Sequence, residues 1–470
     1  MTISIRVLLA ALLAVALATA GALFVGYRTG LIAEQSAFDV ATIGDVRDLF
    51  SSRETNGTRL VDLALRRLES AYYKPINPQT PIVGEIDGLR DFLNAKKVDN
   101  ATLPIETANG DPGQDGARAA TVLAYAQQHY AGELGSNGRD DLTDAALRGM
   151  MASVKDPYTV YLSAREIQGL DESLSGGNFG GIGVYIYQLK DGRIVVQPIE
   201  ELPAARAGMK PGEVVDTVDA KSVRGLGIDR VEQMIRGEPG TTVRLTAHGY
   251  NAPSQEHSYA VVREIIHVPT VRAKMENGID YIRLSDFGKT SGDEVRKALL
   301  DGKAHNARGY ILDLRDNGGG LLDAAVQVSS LFIPQGPIVS TIRRDGQRIT
   351  DVAFGDSIGG LRPLAVLVNK YTASASEITA GALRDYHLTT IVGTRTFGKG
   401  VVQEIFPLPP DQGALKITTA RYVTPAGMDI QHHGIEPDVV IDQDPDPSII
   451  DTPADKQLAV AKALLQSPIR

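Results

Sequence analysis

Between Thr58 and Tyr73 apolar residues fall at Val61, Leu65, Leu68 and Tyr72, a spacing that paints one face of a helix. The pattern returns at Leu142, Ala146, Met150 and Val154, just before DPYTVYL. Such stripes are buried seams, either a core within the chain or a contact between two copies. Between them KKVDNATLPIETANGDPGQDG (97–117) is dense in Asn, Asp, Gly and Pro, a composition that favours an irregular surface excursion. The expectation is a helical region over 31–168 with a flexible insertion near 76–130.

After SLSGGNFGG the period changes to that of short strands: GVYIYQ, the turn Asp191-Gly192, then RIVVQPI. PAARAGMKPGEVVDTVDAKSV reads as a short helix, a Pro-Gly turn and a strand, and GIDRVEQMIRG as a second helix before TVRLTAHG. This order over 169–262, with glycines leading into the first strand, resembles a PDZ domain. In that family the N–H groups of the glycine-bearing loop hold a peptide's terminal carboxylate while the peptide adds a strand to the sheet edge. The resemblance implies tail binding at Gly181, Ile182, Gly183 and Val184, along GVYIYQ and the helix 227–236.

From Ile279 strands alternate with helices. GYILDLR (309–315) is a strand, DNGGG a turn and LLDAAVQVSSLF a helix; PLAVLVN (363–369), YTA and SASEITAGALRDY repeat the unit, and TTIVG (389–393) is a further strand. Right-handed crossovers return the chain to the same end of a parallel sheet. The turns DNGGG and TASASE, with the segment TRTFGKGVVQ, therefore meet at one carboxyl edge, where ligands bind in open α/β sheets.

Composition narrows the function. The chain has 470 residues and a formal charge of −9 with no block of Lys or Arg, so it lacks the electrostatic footprint of a nucleic-acid binder. It has no cysteine, which excludes disulfides, thiolate nucleophiles and cysteine-ligated metals. Val7 to Val25 is uncharged and apolar, close to the ~20 residues that cross a bilayer. Ala18-Thr19-Ala20 resembles a small-residue cleavage site. A signal or membrane anchor over 1–30 and an extracytoplasmic bulk, anchored or secreted, are expected.

At the predicted edge Ser374 stands at the mouth of a helix, where free N–H groups favour negative charge developing on an attacked carbonyl. Ser376 competes with it, and spacing alone does not choose. A serine needs a base; His387 lies at the far end of the same helix, and His432 and His433 in a later turn. Lys399 can serve if burial lowers its pKa from about 10.4, with Gln403 orienting the amine. Taken singly, Ser374 and Ser376 read as helix caps, Lys399 as a loop lysine and Gly318 to Gly320 as a turn. GTRTFGKG nearly spells a phosphate loop, but Gly400 follows Lys399 and VVQEIFPLP cannot open a helix.

Together, ILDLRDNGGGLL, TASASEITAGALRD, GTRTFGKGVVQ and TTARYVTPAGMDIQHHGIEPD, after a PDZ-like domain and DPYTVYL, resemble the carboxyl-terminal processing proteases, also called tail-specific proteases, over roughly 45–440. That family uses a serine and a lysine 25 positions apart, which here selects Ser374 with Lys399. The resemblance also implies Gln403 as the lysine's orienting partner, an oxyanion hole from Gly318 and Ala375, and no metal or cofactor. It implies a multidomain α/β fold: an N-terminal membrane segment and helical region, a PDZ-like β-rich domain, a ClpP/crotonase-like α/β serine-protease core over 263–442, and a C-terminal tail with a helix over 443–470. The expected partners are protein substrates with exposed C-termini, the membrane through the N-terminal segment, and a second copy through the N-terminal helices. The alternative is a membrane-tethered PDZ adaptor on an inactive protease body.

Overall fold

The computed structural model describes residues 57–470 apart from 99, 175–178, 190, 251, 267–268, 362, 410–411, 444–448 and 467–470. The expected signal or anchor over 1–30 lies outside the described residues; among those described, no helix is long and apolar enough to cross a membrane.

Four helices, α1 (Gly57–Ala71), α2 (Gln79–Ala95), α3 (Pro112–Tyr130) and α4 (Gly138–Ala152), form a bundle. The two stripes face inward: Val61, Leu65, Leu68, Leu142, Ala146 and Met150 are buried with Leu89, Leu93 and Leu123 in one core. At the α2–α4 crossing a methyl group on Gly88 would lie 2.7 Å from Gly149 Cα, so the backbones touch and only glycine fits. Leu415 and Ile417, from a strand of the later α/β region, join the same core. The stripes expected as core or dimer seam are therefore buried within the chain itself.

The flexible insertion expected near 76–130 is corrected by α2 and α3. Asp111 accepts the N–H of Gln114 at 2.9 Å as N-cap, and Pro112 sits in the first turn of α3, so Asp-Pro-Gly here is a helix start and not a loop. The irregular stretch before it is tied down. The fully buried carboxylate of Asp115 accepts the N–H groups of Asn109 and Gly110 at 2.9 and 2.8 Å.

Residues 184–262 contain an antiparallel sheet in the order Val184–Gln188, Ile194–Pro198, Glu213–Val218, Thr242–Gly249, Ala252–Val262. The short helix Pro203–Arg206 and the helix Ile228–Ile235 accompany it. Val184–Gln188 is an edge strand beside the second helix, with Tyr185 and Tyr187 exposed.

The remainder is the expected βα succession. Ile279–Leu284, Gly309–Asp313, Leu364–Val368, Thr390–Gly393 and Val439–Val440 run parallel in that order, with Val271–Glu276 antiparallel at one edge. Gly309–Asp313 and Leu364–Val368 are buried at every position, as strands covered on both faces must be. One face packs on the helices Ser291–Ala304, Leu322–Ser330 and Ala375–Asp385, the other on Lys456–Gln466 of the C-terminal segment. A second sheet joins Val160–Leu162, Ala414–Val423, Pro337–Arg343 and Arg348–Val352, with Val401–Pro407 also paired to Ala414–Val423. The chain following DPYT is thus a strand of this sheet, Val160 opposite Lys416.

Candidate active site

Because Gly309–Asp313 and Leu364–Val368 are adjacent and parallel, the loops that follow them meet. Thr372 Oγ1 donates to Leu314 O at 2.8 Å, Ala373 N–H to Asn317 O at 3.0 Å, and Ser376 Oγ to the same carbonyl at 3.0 Å. Ser376 is fully buried and its hydroxyl is held in this staple. Ser374 is half-buried, directly precedes the helix Ala375–Asp385, and has φ 56° and ψ −116°. A non-glycine residue held there is strained, and such strain concentrates at functional sites.

Gly319, at φ 103°, makes room for this turn: a methyl group on it would lie 2.8 Å from Ser374 Cβ and 2.9 Å from Ala375 N. Its N–H donates to Asn317 Oδ1 at 2.9 Å. Gly318 has open space around its Cα, and its N–H makes no hydrogen bond among the described residues. Ala375 is the first residue of its helix, where an N–H has no intrahelical acceptor.

Lys399 reaches the site through a buried carboxylate. Glu377, in the first turn after Ser374, accepts the N–H groups of Ser374 (2.8 Å), Gly398 (2.7 Å) and Lys399 (2.9 Å) and the Thr396 hydroxyl. Burial raises its pKa even so, with these hydrogen bonds acting against the shift. On the other side the buried hydroxyl of Tyr422 bonds the carbonyl oxygens of Ser374, at 3.1 Å, and Lys399. Gly398, at φ 87°, brings its loop within 3.0–3.2 Å of the backbone of His432, His433 and Gly434, measured from where a methyl group would sit.

The two backbones are clamped, while the side chains are apart. Lys399 Nζ lies over the ring of Tyr158, 4.5 Å from its centroid, and among the described residues makes no hydrogen bond to Ser374 Oγ or Gln403. Gln403 Nε2 instead donates to Val401 O at 3.3 Å and Thr418 Oγ1 at 3.4 Å. The Lys399 pKa is lowered, first by burial and then by the neighbouring charge of Lys416, against Asp156 and Glu377. Among the described residues no group of three His, Cys, Asp or Glu side chains could hold a metal ion.

Residues 278–441 match the model of peptidase family S41. The carboxy-terminal-processing protease of Bartonella bacilliformis is 39% identical over 310 residues, 64% of this chain and 70% of that one. The chain belongs to this family. It is a serine-type peptidase of the carboxy-terminal-processing kind. A probable CtpA-like serine protease of Staphylococcus aureus is 36% identical over 305 residues, 64% of this chain and 60% of the relative. Among solved structures, a photosystem II D1 C-terminal processing protease is 28% identical, covering 87% of this chain and 97% of its own, at a TM-score of 0.46; membership rests on the sequence match.

Sequence reasoning about this S41 peptidase missed Glu377, Tyr422 and Tyr158. The first had a local signal, since Ser374-x-x-Glu377 has the spacing of a capping box, and Glu377 does accept the Ser374 N–H. Tyr422 lay inside TTARYVTPAG and Tyr158 inside DPYTVYL, with nothing local to assign them a partner. In the smaller sheet domain, Ile182 is buried in the core and its carbonyl accepts the Ala204 N–H at 2.8 Å. Gly181 ends the strand Phe179–Gly181, Gly183 is at φ 72° against Leu202, and Val184 begins the edge strand.

Proposed function

We propose that this peptidase works through a Ser374–Lys399 dyad on protein C-terminal tails captured by its smaller, PDZ-like sheet domain. The observation that carries the reading is the strained Ser374 at a helix mouth, its backbone tied to that of Lys399 through Glu377 and Tyr422. Neutral Lys399 takes the hydroxyl proton as Ser374 Oγ attacks the scissile carbonyl. The N–H groups of Gly318 and Ala375 receive the oxyanion; preorganised donors of this kind act most strongly where charge develops. Lys399 then hands the proton to the leaving amine and, neutral again, takes a proton from the water that attacks the acyl group, returning it to Ser374 Oγ as the acid product leaves. Catalytic hydrogen bonds are often formed only with substrate in place, so the amine's resting place over Tyr158 agrees with this sequence of steps. Gln403 is the group that orients the amine once it has moved.

Tail capture is supported by the open edge strand Val184–Gln188 beside the helix Ile228–Ile235, with the glycine-bearing turn Gly181–Val184 leading into it. An incoming C-terminus adds a strand at this edge, its carboxylate on the turn's N–H groups. The apolar run over 7–25 supports action outside the cytoplasm, with the chain either anchored through that run or secreted after its removal.

The deciding experiment digests an unfolded protein with wild type, Ser374→Ala and Lys399→Ala and reads the fragments by mass spectrometry. Cleavage by wild type alone, starting near substrate C-termini, is expected. Cleavage persisting in both variants removes the dyad. Tail binding with no Ser374-dependent cleavage favours the adaptor.

A further inference from the structure

Lys399 Nζ sits 4.5 Å from the centroid of the Tyr158 ring, and the turn that carries the ring is tied both to the helical bundle and to the α/β region. Asp156 Oδ1 accepts the Tyr158 N–H at 3.0 Å and Oδ2 the Thr159 hydroxyl at 2.8 Å, closing the turn. Buried Thr159 Oγ1 accepts the Thr418 N–H at 3.1 Å. Tyr161 anchors the next strand, its hydroxyl bonded to Asp144 of α4 at 3.0 Å and to Gln412 O at 3.1 Å. Thr418 Oγ1 in turn accepts from Gln403. The turn that carries the ring is thus fixed between the helical bundle and the strand beside Gln403.

We propose that Tyr158 is a positioning residue of the proteolytic site, its ring holding the Lys399 amine in a resting place from which the amine must depart to reach Ser374 Oγ. The inference rests on the Ser374–Lys399 reading. An aromatic face attracts an ammonium through its quadrupole and has no such hold on a neutral amine. The protonated form is therefore kept on the ring, and loss of the proton frees the side chain to move. Deprotonation and relocation are coupled by one contact. The charged and titratable groups around Lys399 are Lys416 on the strand Ala414–Val423, Asp156 in the turn, Glu377 in the helix and the hydroxyls of Tyr158 and Tyr422. A cavity of about 610 Å³ borders Tyr158, Gly398 and Val401, with Lys74, Lys155 and His432 on its wall. The ring is thus also within reach of whatever enters from the bundle side.

The test uses the full chain and leaves the shape of the ring nearly unchanged. Phenylalanine, 4-fluorophenylalanine and 3,4,5-trifluorophenylalanine at position 158 drain the ring face stepwise. Tyr158→Phe is expected to keep the wild-type pH profile of kcat/KM. Fluorination is expected to raise kcat/KM on the acid limb progressively, and Tyr158→Leu by about threefold to tenfold, the size of one cation–π contact, with the alkaline plateau unchanged. The amine is read separately by acetic anhydride labelling of Lys399 across pH in Ser374→Ala protein, where no turnover occurs. Labelling is expected to begin at lower pH as the ring is fluorinated. A flat series in both readouts, or Tyr158→Phe behaving like Tyr158→Leu, overturns the proposal. Undiminished cleavage by Lys399→Ala overturns the dyad instead, and the labelling series still reports whether the ring holds the amine.

Discussion

The backbone N–H groups of Ser374 and Lys399 donate to the same oxygen, Oε2 of Glu377, at 2.8 and 2.9 Å. One buried carboxylate thus sets the spacing of two loops that are 25 residues apart in sequence. Glu377→Gln keeps the shape but turns one acceptor into a donor, so at least one of the three N–H groups now held faces an N–H. A displacement of ~1 Å in a catalytic group can cost about 10²-fold. We expect kcat to fall by that order with KM much less changed, together with a lower Tm. Steady-state kinetics alongside thermal melts check both, and an unchanged kcat would show that the clamp is dispensable.

On the proposed dyad Lys399 acts as the base only when neutral, so kcat/KM is expected to rise with pH through its pKa. Burial, and after it the charge of Lys416, push that pKa below the ordinary lysine value. Removing the neighbouring charge relieves part of the depression. Lys416→Met is therefore expected to move the acid limb to higher pH and to lower kcat/KM most at the acid end, while the alkaline plateau stays in place. A pH–rate profile of the two proteins decides it.

Arg315, nearly fully buried, donates from Nη1 and Nη2 to the two carboxylate oxygens of Asp455 at 2.8 Å each, and also to Asp313. Asp313 accepts the Tyr281 hydroxyl at 2.7 Å. This buried cluster ties the segment before the helix Lys456–Gln466 to a central strand of the sheet. Asp455→Ala leaves a buried guanidinium with one carboxylate in place of two. Leaving a buried charge with no partner costs about 3–5 kcal/mol; because Asp313 still pairs the guanidinium, a loss of only part of that is expected. Urea unfolding of the variant should show that loss in its midpoint.

The βα succession was legible because strands covered on both faces become largely apolar runs, unbroken in LAVLV and interrupted only by Asp313 in YILDL. The two stripes of the bundle were legible for the same reason of burial. Residues 76–130 were misread because Pro112, Gly113 and Gly116 count as breakers in composition, whereas Asp111 and Pro112 in that order begin a helix. Ser374 and Lys399 emerged through motifs and a resemblance. The contacts that position them did not, since Tyr422 lies 48 residues from Ser374 and 23 from Lys399, and Tyr158 comes from the other end of the chain. Long-range hydrogen bonds leave no periodicity to read.

Asp280, on the strand Ile279–Leu284, is buried, and among the described residues its Oδ2 has no hydrogen-bond partner. A methyl group on Gly302 would lie 2.0 Å from that oxygen, so the helix Ser291–Ala304 closes over it. Burial, with a smaller contribution from Asp301, pushes the carboxyl up to about 6 from its ordinary 3.8. The folded form then binds the proton more tightly than the unfolded chain. Its contribution is favourable in full below pH ~4 and is lost as pH rises toward ~6, leaving a buried charge at neutral pH. Asp280→Asn removes that charge at nearly constant volume. We expect the variant to gain about 1–3 kcal/mol at pH 8 and little or nothing at pH 4. Chemical denaturation at the two pH values measures the difference, and an equal gain at both would mean that the carboxylate's charge is not the cause.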